Sequence, residues 1–341
     1  MQNNKKVDIS IIVPCRNEGR YITGLVERIL AQKGAGNLFT FELLLVNGQS
    51  EDNTVAAIQE AAKGVENVRI LENPARITPT AFNIGIKASS GQYICILGAH
   101  SRIAHDYIYT ALRTIREIGS DNVGGPWRAV GEGYWGRAIA LAFQSSFSCG
   151  GARSHNLNYR GLVDSVWGGF YKREVFDTIG YFDENLVRNQ DDELNFRLVM
   201  AGGKIFQTPD IKYEYVCRAT INSLWQQYFQ YGYFKAYVLR KHHRPAAVRH
   251  LVPSAFVLIV LVLGVATLFS ADAFRIFLFV SAVYLALLVW FSVYICLRLN
   301  RAVYLIAMPL VFAVFHFSYG LGLLWGALKL GFTKEKYGRQ N

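Results

Sequence analysis

Three consecutive acids are the residues of this sequence whose types and spacing most directly suggest chemistry. Asp191, Asp192 and Glu193 lie in the segment VRNQDDELNFR, directly before an apolar helical pattern. Acids at the start of a helix are stabilised by the helix dipole, which is one explanation for the segment. Three in a row exceed what the dipole requires, and a carboxylate held at a cleft can act as a general base. The segment therefore indicates a helix start, a catalytic carboxylate, or both.

A rigid frame for such side chains is predicted by the first two thirds of the chain. Short β-branched runs at 7–14, 41–46, 68–71 and 93–97 alternate with helical patterns at 21–32, 55–63 and 80–88. This alternation predicts an α/β fold with a mostly parallel sheet covered on both faces. Ligands of such sheets bind beyond the carboxyl ends of the strands. The polar segments CRNEG, NGQSEDNT and GAHSR should therefore face one site.

The last third of the chain has a different composition. The formal net charge of +11 lies entirely in residues 215–341, which hold 13 Lys and Arg against two acids. In the same part, residues 251–269, 277–297 and 302–328 contain no charged side chain, and a span needs about 20 apolar residues. Buried soluble helices are the alternative, but three such runs favour a membrane. No zinc or RNP-like motif is present, so a nucleic-acid partner is not expected.

Basic residues without an acid precede the first apolar run. We call them the basic collar: Arg240, Lys241, His242, His243, Arg244, Arg249 and His250. Positive charge favours the cytoplasmic side of a membrane, which predicts that side for the collar. The segment 224–239 is rich in aromatic residues and is either an interfacial helix or an ordinary aromatic core helix. The predicted boundaries are therefore a first domain at 1–223, the interfacial helix and collar at 224–250, and a membrane domain at 251–341.

The topology of the third apolar run stays open at this point. Three full spans would carry the cations of the tail to the outside, against the charge bias. These cations are Lys329, Lys334, Lys336 and Arg339. The run is interrupted by His316, Ser318, Gly320 and Gly322, so a re-entrant segment would be compatible with it. The short apolar run at the N-terminus does not suggest a signal peptide, and five cysteines without CxxC spacing suggest reduced thiols.

Several motifs in order give the chain a resemblance to a known family. IIVPCRNEG, VNGQSEDNT, NPARITPTAFNIGI, the segment from VWGGF to MAGGKI, and HFSYGLG resemble the family 2 glycosyltransferases of GT-A fold. Within these, the chain is most similar to the membrane-attached enzymes of succinoglycan-type exopolysaccharide assembly, from Asp8 to its end. The resemblance implies inverting transfer of a sugar from a nucleotide-sugar to an acceptor hydroxyl, commonly with Mg²⁺ or Mn²⁺.

The resemblance also implies roles for single residues. Asp191 matches the acid that acts as general base, with Gln190 in the place of a Glu and Asp192 beside it. The donor contacts that it implies are Pro14, Arg16, Asn17, Glu18, Asn47, Ser50, Asp52, Arg76, Asn83, Gly98 and His100. The acceptor contacts that it implies are Trp167, Gly168, Gly169, Gln227 and Tyr231. Gln226, Gln227 and Tyr231 could together replace a motif that closes over the donor in processive relatives. For Trp167, Gly168 and Gly169, the structural alternative is a tight turn packed by Trp167.

Two departures from the family pattern bear on the chemistry. Gly98 stands where the family has an Asp that presents a carboxylate to the cation, so a divalent cation is doubtful and His100 is the remaining candidate ligand. Asn47 replaces an Asp that usually binds the donor's base. Three interpretations follow: weak metal use through His100 and Asp191, neutralisation of the diphosphate by Arg76 and Arg102, or loss of catalysis.

The sequence thus predicts a multi-pass enzyme of a bacterial inner membrane with its catalytic domain in the cytoplasm. Its expected donor is a nucleotide-sugar, with a UDP-sugar as the first candidate, and its expected acceptor is a lipid-linked saccharide. One alternative is an inactive membrane subunit that binds a nucleotide-sugar or glycan. The other is a processive polysaccharide synthase, for which three apolar runs are few.

Overall fold

The computed structural model describes residues 7–332, which form two compact units. The first unit comprises the chain up to Arg128 and the segment Arg153–Tyr215, and the second comprises Ala129–Ala152 and the chain from Val216 onward. This division differs from the expected boundary at 223 in two respects: the first unit ends at Tyr215, and a segment from the middle of the expected first domain belongs to the second unit. That segment is apolar, and Ala138, Ile139 and Phe143 are buried.

The strands lie mainly in the first unit. They are β1 (Ile9–Cys15), β2 (Phe41–Asn47), β3 (Val68–Glu72), β4 (Tyr93–Ile96), β5 (Ser101–Ile103), β6 (Asn122–Gly125), β7 (Ala129–Val130), β8 (Gly161–Leu162), β9 (Trp167–Lys172), β10 (Ile205–Gln207) and β11 (Tyr213–Val216). The four strands expected from the sequence are present within one or two residues of their predicted bounds.

Twelve α-helices are found in the described part of the chain. They are α1 (Ile22–Leu30), α2 (Thr54–Ala61), α3 (Thr78–Ala88), α4 (Tyr107–Ile118), α5 (Gly133–Ala142), α6 (Ser146–Cys149), α7 (Glu174–Ile179), α8 (Gln190–Met200), α9 (Ile221–His242), α10 (Val252–Ala266), α11 (Ala271–Arg298) and α12 (Ala307–Phe332). The acidic segment therefore begins a helix, as its pattern indicated.

An eight-stranded sheet forms the centre of the first unit, in the order β3-β2-β1-β4-β9-β6-β10-β8. The strands β3, β2, β1 and β4 are mutually parallel, whereas β9 pairs antiparallel with both β4 and β6. Most of the buried residues of β1 and β2 are Ile, Val or Leu, which is typical of strands covered on both faces. The predicted mostly parallel α/β sheet is confirmed. Its consequence is that the loops after β1, β2, β3 and β4 emerge at one edge.

Two apolar layers cover this sheet. One is built on Ile9, Ile11 and Val13 of β1 with helices α1 and α4, and the other on Ile12 with helices α3 and α8. Alternate residues of β1 thus enter opposite layers, as the period of two in a strand requires. Burial on both faces leaves the carboxyl edge as the part of the sheet that can present polar side chains.

The second unit contains three helices that are long and apolar enough to cross a membrane. These candidate spans are Val248–Ala266, Ala271–Arg298 and Ala307–Gly331. The third run is one continuous helix, α12, so the interruption expected at Gly320 and Gly322 does not occur. The predicted interfacial segment is helix α9, which packs along α12 within this unit.

Close contacts with α9 explain why α12 is not interrupted at its glycines. A Cβ at Gly322 would lie 2.1 Å from the carbonyl oxygen of Phe229, and a Cβ at Gly326 would lie 2.6 Å from that of Tyr233. Small residues that allow such close approach of backbones are typical of helix pairs in membranes. The glycines are therefore packing positions against α9 and do not break the helix.

Candidate functional site

The loops after β1 and β2 are joined by hydrogen bonds at the carboxyl edge of the sheet. Asn17 Oδ1 accepts from the Glu51 N–H at 2.9 Å, and the Asn17 N–H donates to Ser50 Oγ at 3.1 Å. The two loops are consequently held as one surface. Asn17 and Ser50, both expected at the donor, lie together there.

Asp52 extends the same set of contacts. Its Oδ2 accepts from the Gly19 N–H at 3.1 Å, and its Oδ1 accepts from the Thr54 N–H at 3.0 Å. The Thr54 hydroxyl also donates to Asp52 and accepts from the Glu18 N–H at 2.7 Å. The hydrogen bond from the Thr54 side chain is the main cause that lowers the pKa of Asp52, with the Thr54 and Gly19 N–H groups adding to it. Asp52 is therefore an ionised anchor of both loops.

Pro14 and Arg16 occupy the end of β1 beside these loops. Pro14 is in register with Val46 of β2, one residue before the strand ends. A Cβ at Gly48 would come within 3.2 Å of Arg16 Cβ, so the Arg16 side chain lies over the Gly48 backbone. Gly48 thus leaves room for an exposed guanidinium at the edge of the sheet.

Asn47 is paired with a carboxylate that the sequence alone did not bring forward. It ends β2 in register with Glu72, the last residue of β3. Its Nδ2 donates to both carboxylate oxygens of Glu72 at 3.2 Å, and its Oδ1 accepts from the Ser50 N–H at 3.0 Å. An aspartate at position 47 would face a second carboxylate at this distance. The pairing gives a physical reason for an amide here, and it leaves Glu72 as the exposed acid of this corner.

Left-handed backbone at non-glycine residues marks four segments of the site region. Asn17, Gln49, Arg76 and Asn189 have φ of 56°, 55°, 60° and 61°. They follow β1, β2 and β3 and precede α8. Such conformations cost about 1 kcal/mol or more each and cluster at functional sites. At Arg76 the guanidinium is also fixed, since its Nε donates to Gln49 Oε1 at 2.6 Å.

Asn83 lies in α3 and is buried, in contrast to an open donor contact. Its Nδ2 donates to the Phe182 carbonyl at 2.9 Å and to Glu184 Oε1 at 2.8 Å, and its Oδ1 accepts from the Phe182 N–H at 2.9 Å. These contacts tie α3 to the segment that leads into α8. Asn83 thus has a structural role, and its expected contact with the donor stays a prediction.

Gly98 and His100 follow β4 in the loop where a metal ligand was expected. A Cβ at Gly98 would meet only Ser101 Oγ, at 3.6 Å, so a side chain fits there. His100 Nδ1 lies 2.8 Å from Glu18 Oε2, and its ring packs edge-on against Tyr21. Among residues 7–332, no three His, Cys, Asp or Glu side chains come together in a way that could hold a metal ion. The donor set around His100 therefore does not fit a divalent cation.

The third acid of α8 has a structural role. Glu193 is fully buried, and Arg197 donates to it through Nε and Nη2 at 3.0 Å each. Arg197 also donates to the carbonyls of Ile179 and Tyr181. Glu193 thus holds the guanidinium that fixes the turn after α7.

Asp191 and Asp192 occupy the first turn of α8 and are half-buried. The Asp191 carboxylate acts on two phenols of the sheets, Tyr171 in β9 and Tyr213 in β11. Burial raises the pKa of both hydroxyls, and the negative charge of Asp191 adds to the effect. Asp191 is therefore near enough to influence both hydroxyls, and it lies at the start of a helix, where the dipole favours a negative charge.

A buried amide fixes the inner face of α8. Asn195 Oδ1 accepts from Asn122 Nδ2 at 3.0 Å and from the Tyr171 hydroxyl at 3.1 Å, and Asn195 Nδ2 donates to Ser165 Oγ at 3.0 Å. Asn122 belongs to β6 and Tyr171 to β9. One turn before Asn195, Asp191 is consequently positioned by the sheet.

The expected acceptor loop is built on stacked rings. Trp167 stacks on Trp127 with ring centroids 4.7 Å apart, and His155 stacks on Trp127 at 4.8 Å. The Gly168 carbonyl accepts from the Tyr107 hydroxyl at 2.7 Å, and Gly168 has a φ of 61°. Trp167, Gly168 and Gly169 thus begin strand β9, with a left-handed backbone at Gly168, and do not form the tight turn of the structural alternative; their contact with the acceptor stays a prediction.

Gln227 and Tyr231 belong to α9 in the second unit. Gln227 is buried, and its Nε2 donates to the Tyr231 hydroxyl at 2.8 Å, one turn along the helix. Gln226 is exposed. The pair is described within its own unit, and its assignment to the acceptor stays a prediction.

Glu72 and Asn195 are the residues of the site region that sequence reasoning missed. Glu72 directly follows the third predicted strand, and an acid at that point was an available signal. Asn195 has no local signal, because its partners Asn122 and Ser165 are distant in the sequence. Its burial follows only from the packing of α8 on the sheet.

Comparisons with known proteins agree with this geometry. A sequence profile described as Glycosyl transferase family 2 matches residues 10–180. A relative in Methanococcus voltae, dolichyl N-acetyl-alpha-D-glucosaminyl phosphate 3-beta-D-2,3-diacetamido-2,3-dideoxy-beta-D-glucuronosyltransferase, is 26% identical over 330 residues, 94% of this chain and 97% of the relative. The succinoglycan biosynthesis protein ExoA of Rhizobium meliloti (strain 1021) is 28% identical over 247 residues, 72% of this chain and 74% of the relative.

A solved structure shares the fold. The mannosyltransferase PcManGT from Pyrobaculum calidifontis, solved in complex with GDP-Man and Mn²⁺, superposes with a TM-score of 0.64 and 18% identity. The match covers 94% of this chain and 88% of that one.

Proposed function

Because the chain belongs to glycosyltransferase family 2 and has the GT-A fold, we propose that it transfers a sugar from a nucleotide-sugar to a lipid-linked saccharide, with inversion at the anomeric carbon. One observation carries the proposal. The carboxyl edge of the parallel strands presents the joined loops around Asn17 and Ser50, and α8 presents Asp191 separately from the Glu193–Arg197 pair. This arrangement supports a donor site with one positioned carboxylate.

In the proposed reaction, Asp191 takes the proton from the acceptor hydroxyl as that oxygen attacks the anomeric carbon. A new carbon–oxygen bond forms while the bond to the nucleoside diphosphate breaks, and the diphosphate leaves with the electron pair. Attack from the face opposite the leaving group inverts the centre in one displacement. A single positioned carboxylate is then sufficient, and the start of α8 is a place where the helix dipole favours a negative charge.

The donor is recognised, in this proposal, by the joined loops and by Glu72. Asn47 has both ends of its amide engaged, so the remaining acceptor of this corner is the Glu72 carboxylate. It can accept a hydrogen bond from an N–H of the donor's base. Arg76, fixed by Gln49, and Arg102 in β5 supply positive charge for the diphosphate. The structural neighbour was solved with GDP-Man, so a GDP-sugar joins the UDP-sugars as a candidate donor.

The acceptor is proposed to be lipid-linked. The Methanococcus voltae relative acts, by its name, on a dolichyl-linked sugar phosphate, and the present chain matches it almost end to end. Apolar helices and a basic collar support attachment to a membrane, with the catalytic unit on the cytoplasmic side. Trp167, with Trp127 behind it, is suited to pack against a sugar ring of the acceptor.

Incubation of membranes that contain the chain with a panel of radiolabelled UDP- and GDP-sugars tests the proposal. We expect label from one donor in the lipid fraction, and no label with Asp191→Asn. A chain that binds a nucleotide-sugar in the same membranes without consuming it is a binding subunit, which would refute the proposed transfer. A labelled product that grows by many sugars would instead identify a processive synthase.

A further inference from the structure

The three candidate spans differ in how much of their surface is covered by the protein. In the most apolar part of α10 and of α11, 11% of the residues are buried, whereas in α12 the figure is 61%. Helices α10 and α11 expose Leu258, Val262, Phe279 and Trp290. An apolar surface of this extent is expected of helices that contact lipid on most sides. Helix α12 is instead largely covered by its neighbours.

The contacts of α12 show at which level it meets the α10–α11 hairpin. A Cβ at Gly320, in the middle of α12, would lie 2.7 Å from the Pro253 carbonyl, and Pro253 is the second residue of α10. Phe317 packs against Phe256, in the first turns of α10. If α12 crossed the membrane beside α10, its middle would face the middle of α10. The middle of α12 faces the first half of α10, where a Cβ at Gly320 would also meet Val257 at 2.6 Å, and the buried residues of α10, Ser254 and Val257, lie only in that half.

The contacts of α11 with α10 and α12 lie at the same level along the hairpin. Tyr284 packs on Phe256 with ring centroids 4.5 Å apart, and its hydroxyl lies 3.0 Å from His316 Nδ1 of α12. At 28 residues, α11 is about 42 Å long, well beyond a hydrocarbon core of about 30 Å. Tyr284 is the fourteenth residue of α11, at its middle, and the buried residues of α11 all follow it, toward the open end of the hairpin where α10 begins and α11 ends: Leu288, Ser292, Ile295 and Cys296. His316 also bonds the Phe147 carbonyl of α6 at 2.7 Å, which joins α12 to the inserted segment Ala129–Ala152.

The open end of the hairpin consists of the start of α10 and the end of α11, and its charges mark it as cytoplasmic. Arg249 precedes α10, while Arg298 and Arg301 stand at the end of α11 and just after it. At the closed end, Asp272 and Arg275 form an ion pair at 2.9 Å and cancel each other. The bias of basic residues toward the cytoplasm places the open end there and the turn outside.

Both ends of α12 belong to this cytoplasmic side. The helix begins a few residues after Arg301. It runs in the same direction as α9, since Gly322 meets Phe229 and Gly326 meets Tyr233. At its far end, Arg240 of the basic collar donates from Nη1 to the Leu330 carbonyl at 2.7 Å. A helix that crosses a membrane once cannot have both ends on one side.

We propose that only α10 and α11 cross the membrane and that α12 lies with α9 along its cytoplasmic surface. The exposed side chains of Leu310, Trp325 and Leu328 then enter the headgroup and acyl boundary, as in amphipathic interfacial helices. Lys329, the last cation of the described residues, then lies on the same side of the membrane as the basic collar, where it can face anionic headgroups. The conflict between three spans and the charge bias disappears.

Cysteine labelling in intact cells tests this topology in the full chain. The variants are Phe269→Cys in the turn, Ala302→Cys after α11, and a cysteine added after Asn341. The unsubstituted chain, labelled in parallel, measures the background from its own five cysteines, of which Cys15, Cys95, Cys217 and Cys296 are buried. With a membrane-impermeant maleimide, we expect labelling at 269 from outside, and at 302 and the C-terminus only after permeabilisation.

The C-terminal site separates the alternatives. Three spans would label it from outside together with 269, which would overturn the proposal, as would labelling at 302 from outside. A C-terminal green fluorescent protein gives a second readout, fluorescent only if the end is cytoplasmic. The inference rests on the proposed membrane attachment. Complete release of the chain by carbonate would refute attachment itself, whereas an external C-terminus in carbonate-resistant chain would refute the topology alone.

Discussion

Glu193 and Arg197 form a two-point ion pair on α8, with Nε to Oε1 and Nη2 to Oε2 both at 3.0 Å. The pair is enclosed, and the same guanidinium holds the turn after α7. Asp191 lies two residues earlier, on a different side of the helix. The acidic triplet therefore contains one enclosed structural acid, Glu193, and the half-buried Asp191, for which we propose the role of base.

This division predicts opposite effects for two similar substitutions. Glu193→Gln should lower the free energy of unfolding by about 3 kcal/mol, because it leaves the Arg197 charge enclosed without its partner. Asp191→Asn should leave stability almost unchanged and reduce transfer by about 10²-fold or more, as expected for loss of a general base. Thermal unfolding of the solubilised chain and a radiolabel transfer assay give the two readouts. Unaltered transfer by Asp191→Asn would remove it as the base.

The Asn47–Glu72 pair predicts a defect that a second substitution repairs. Asn47→Asp places a carboxylate beside Glu72 and should weaken donor binding by about tenfold, equivalent to about 1.4 kcal/mol. The double variant Asn47→Asp with Glu72→Gln restores an acid–amide pair with the partners exchanged. We expect it to regain most of the affinity, measured as the KM for the nucleotide-sugar. Equal affinity of Asn47→Asp and the natural chain would show that this corner does not contact the donor.

The space around Gly98 predicts that a substitution at this position can introduce metal binding. There is room for a side chain, so Gly98→Asp should fold and add a carboxylate near Glu18 and His100. We expect Mn²⁺ to bind this variant more tightly than the natural chain in a calorimetric titration, because hard cations prefer oxygen ligands. Gly98→Asn is the matched control without charge. If the natural chain already binds Mn²⁺ as tightly as Gly98→Asp, the conclusion that the side chains around His100 do not fit a divalent cation is wrong.

Asn83 predicts a loss of stability with donor affinity retained. Asn83→Ala removes three hydrogen bonds and strands the Phe182 N–H, at a cost of about 2 kcal/mol. The exposed Asn185→Ala serves as the control, with an unfolding midpoint near that of the natural chain. A raised KM for the donor at unchanged stability would instead make Asn83 a direct donor contact.

The close approach of α9 and α12 predicts contrasting effects of one added methyl group. Gly322→Ala should lower the unfolding free energy by about 1–3 kcal/mol, because its Cβ cannot fit at 2.1 Å from the Phe229 carbonyl. Gly331→Ala meets nothing within 4 Å and should leave stability equal or slightly higher. Thermal unfolding of the solubilised chain compares the two. Equal midpoints for both variants would argue against the helix contact.

The sequence was sufficient for the sheet and insufficient for the contacts between its loops. Strands β1 and β2 are apolar runs that end in polar segments, so their positions and the edge that they share could be predicted. The partner of Asn47 could not, because it depends on the register of β3 against β2. The glycines of α12 were misleading for a related reason, since a gap in side-chain volume becomes a contact only when α9 lies against it. The division of the acidic triplet depends on burial, which no local pattern specifies.

The left-handed residues Asn17, Gln49, Arg76 and Asn189 carry a consequence for engineering. Glycine at any of them would relax the backbone, and a search for stabilised variants would therefore favour it. The same change would let each loop adopt backbone conformations that the present non-glycine residue disfavours. Substitutions at these four positions should consequently raise thermal stability and lower catalytic activity. A library selected for thermal stability alone would therefore lose activity first at these positions.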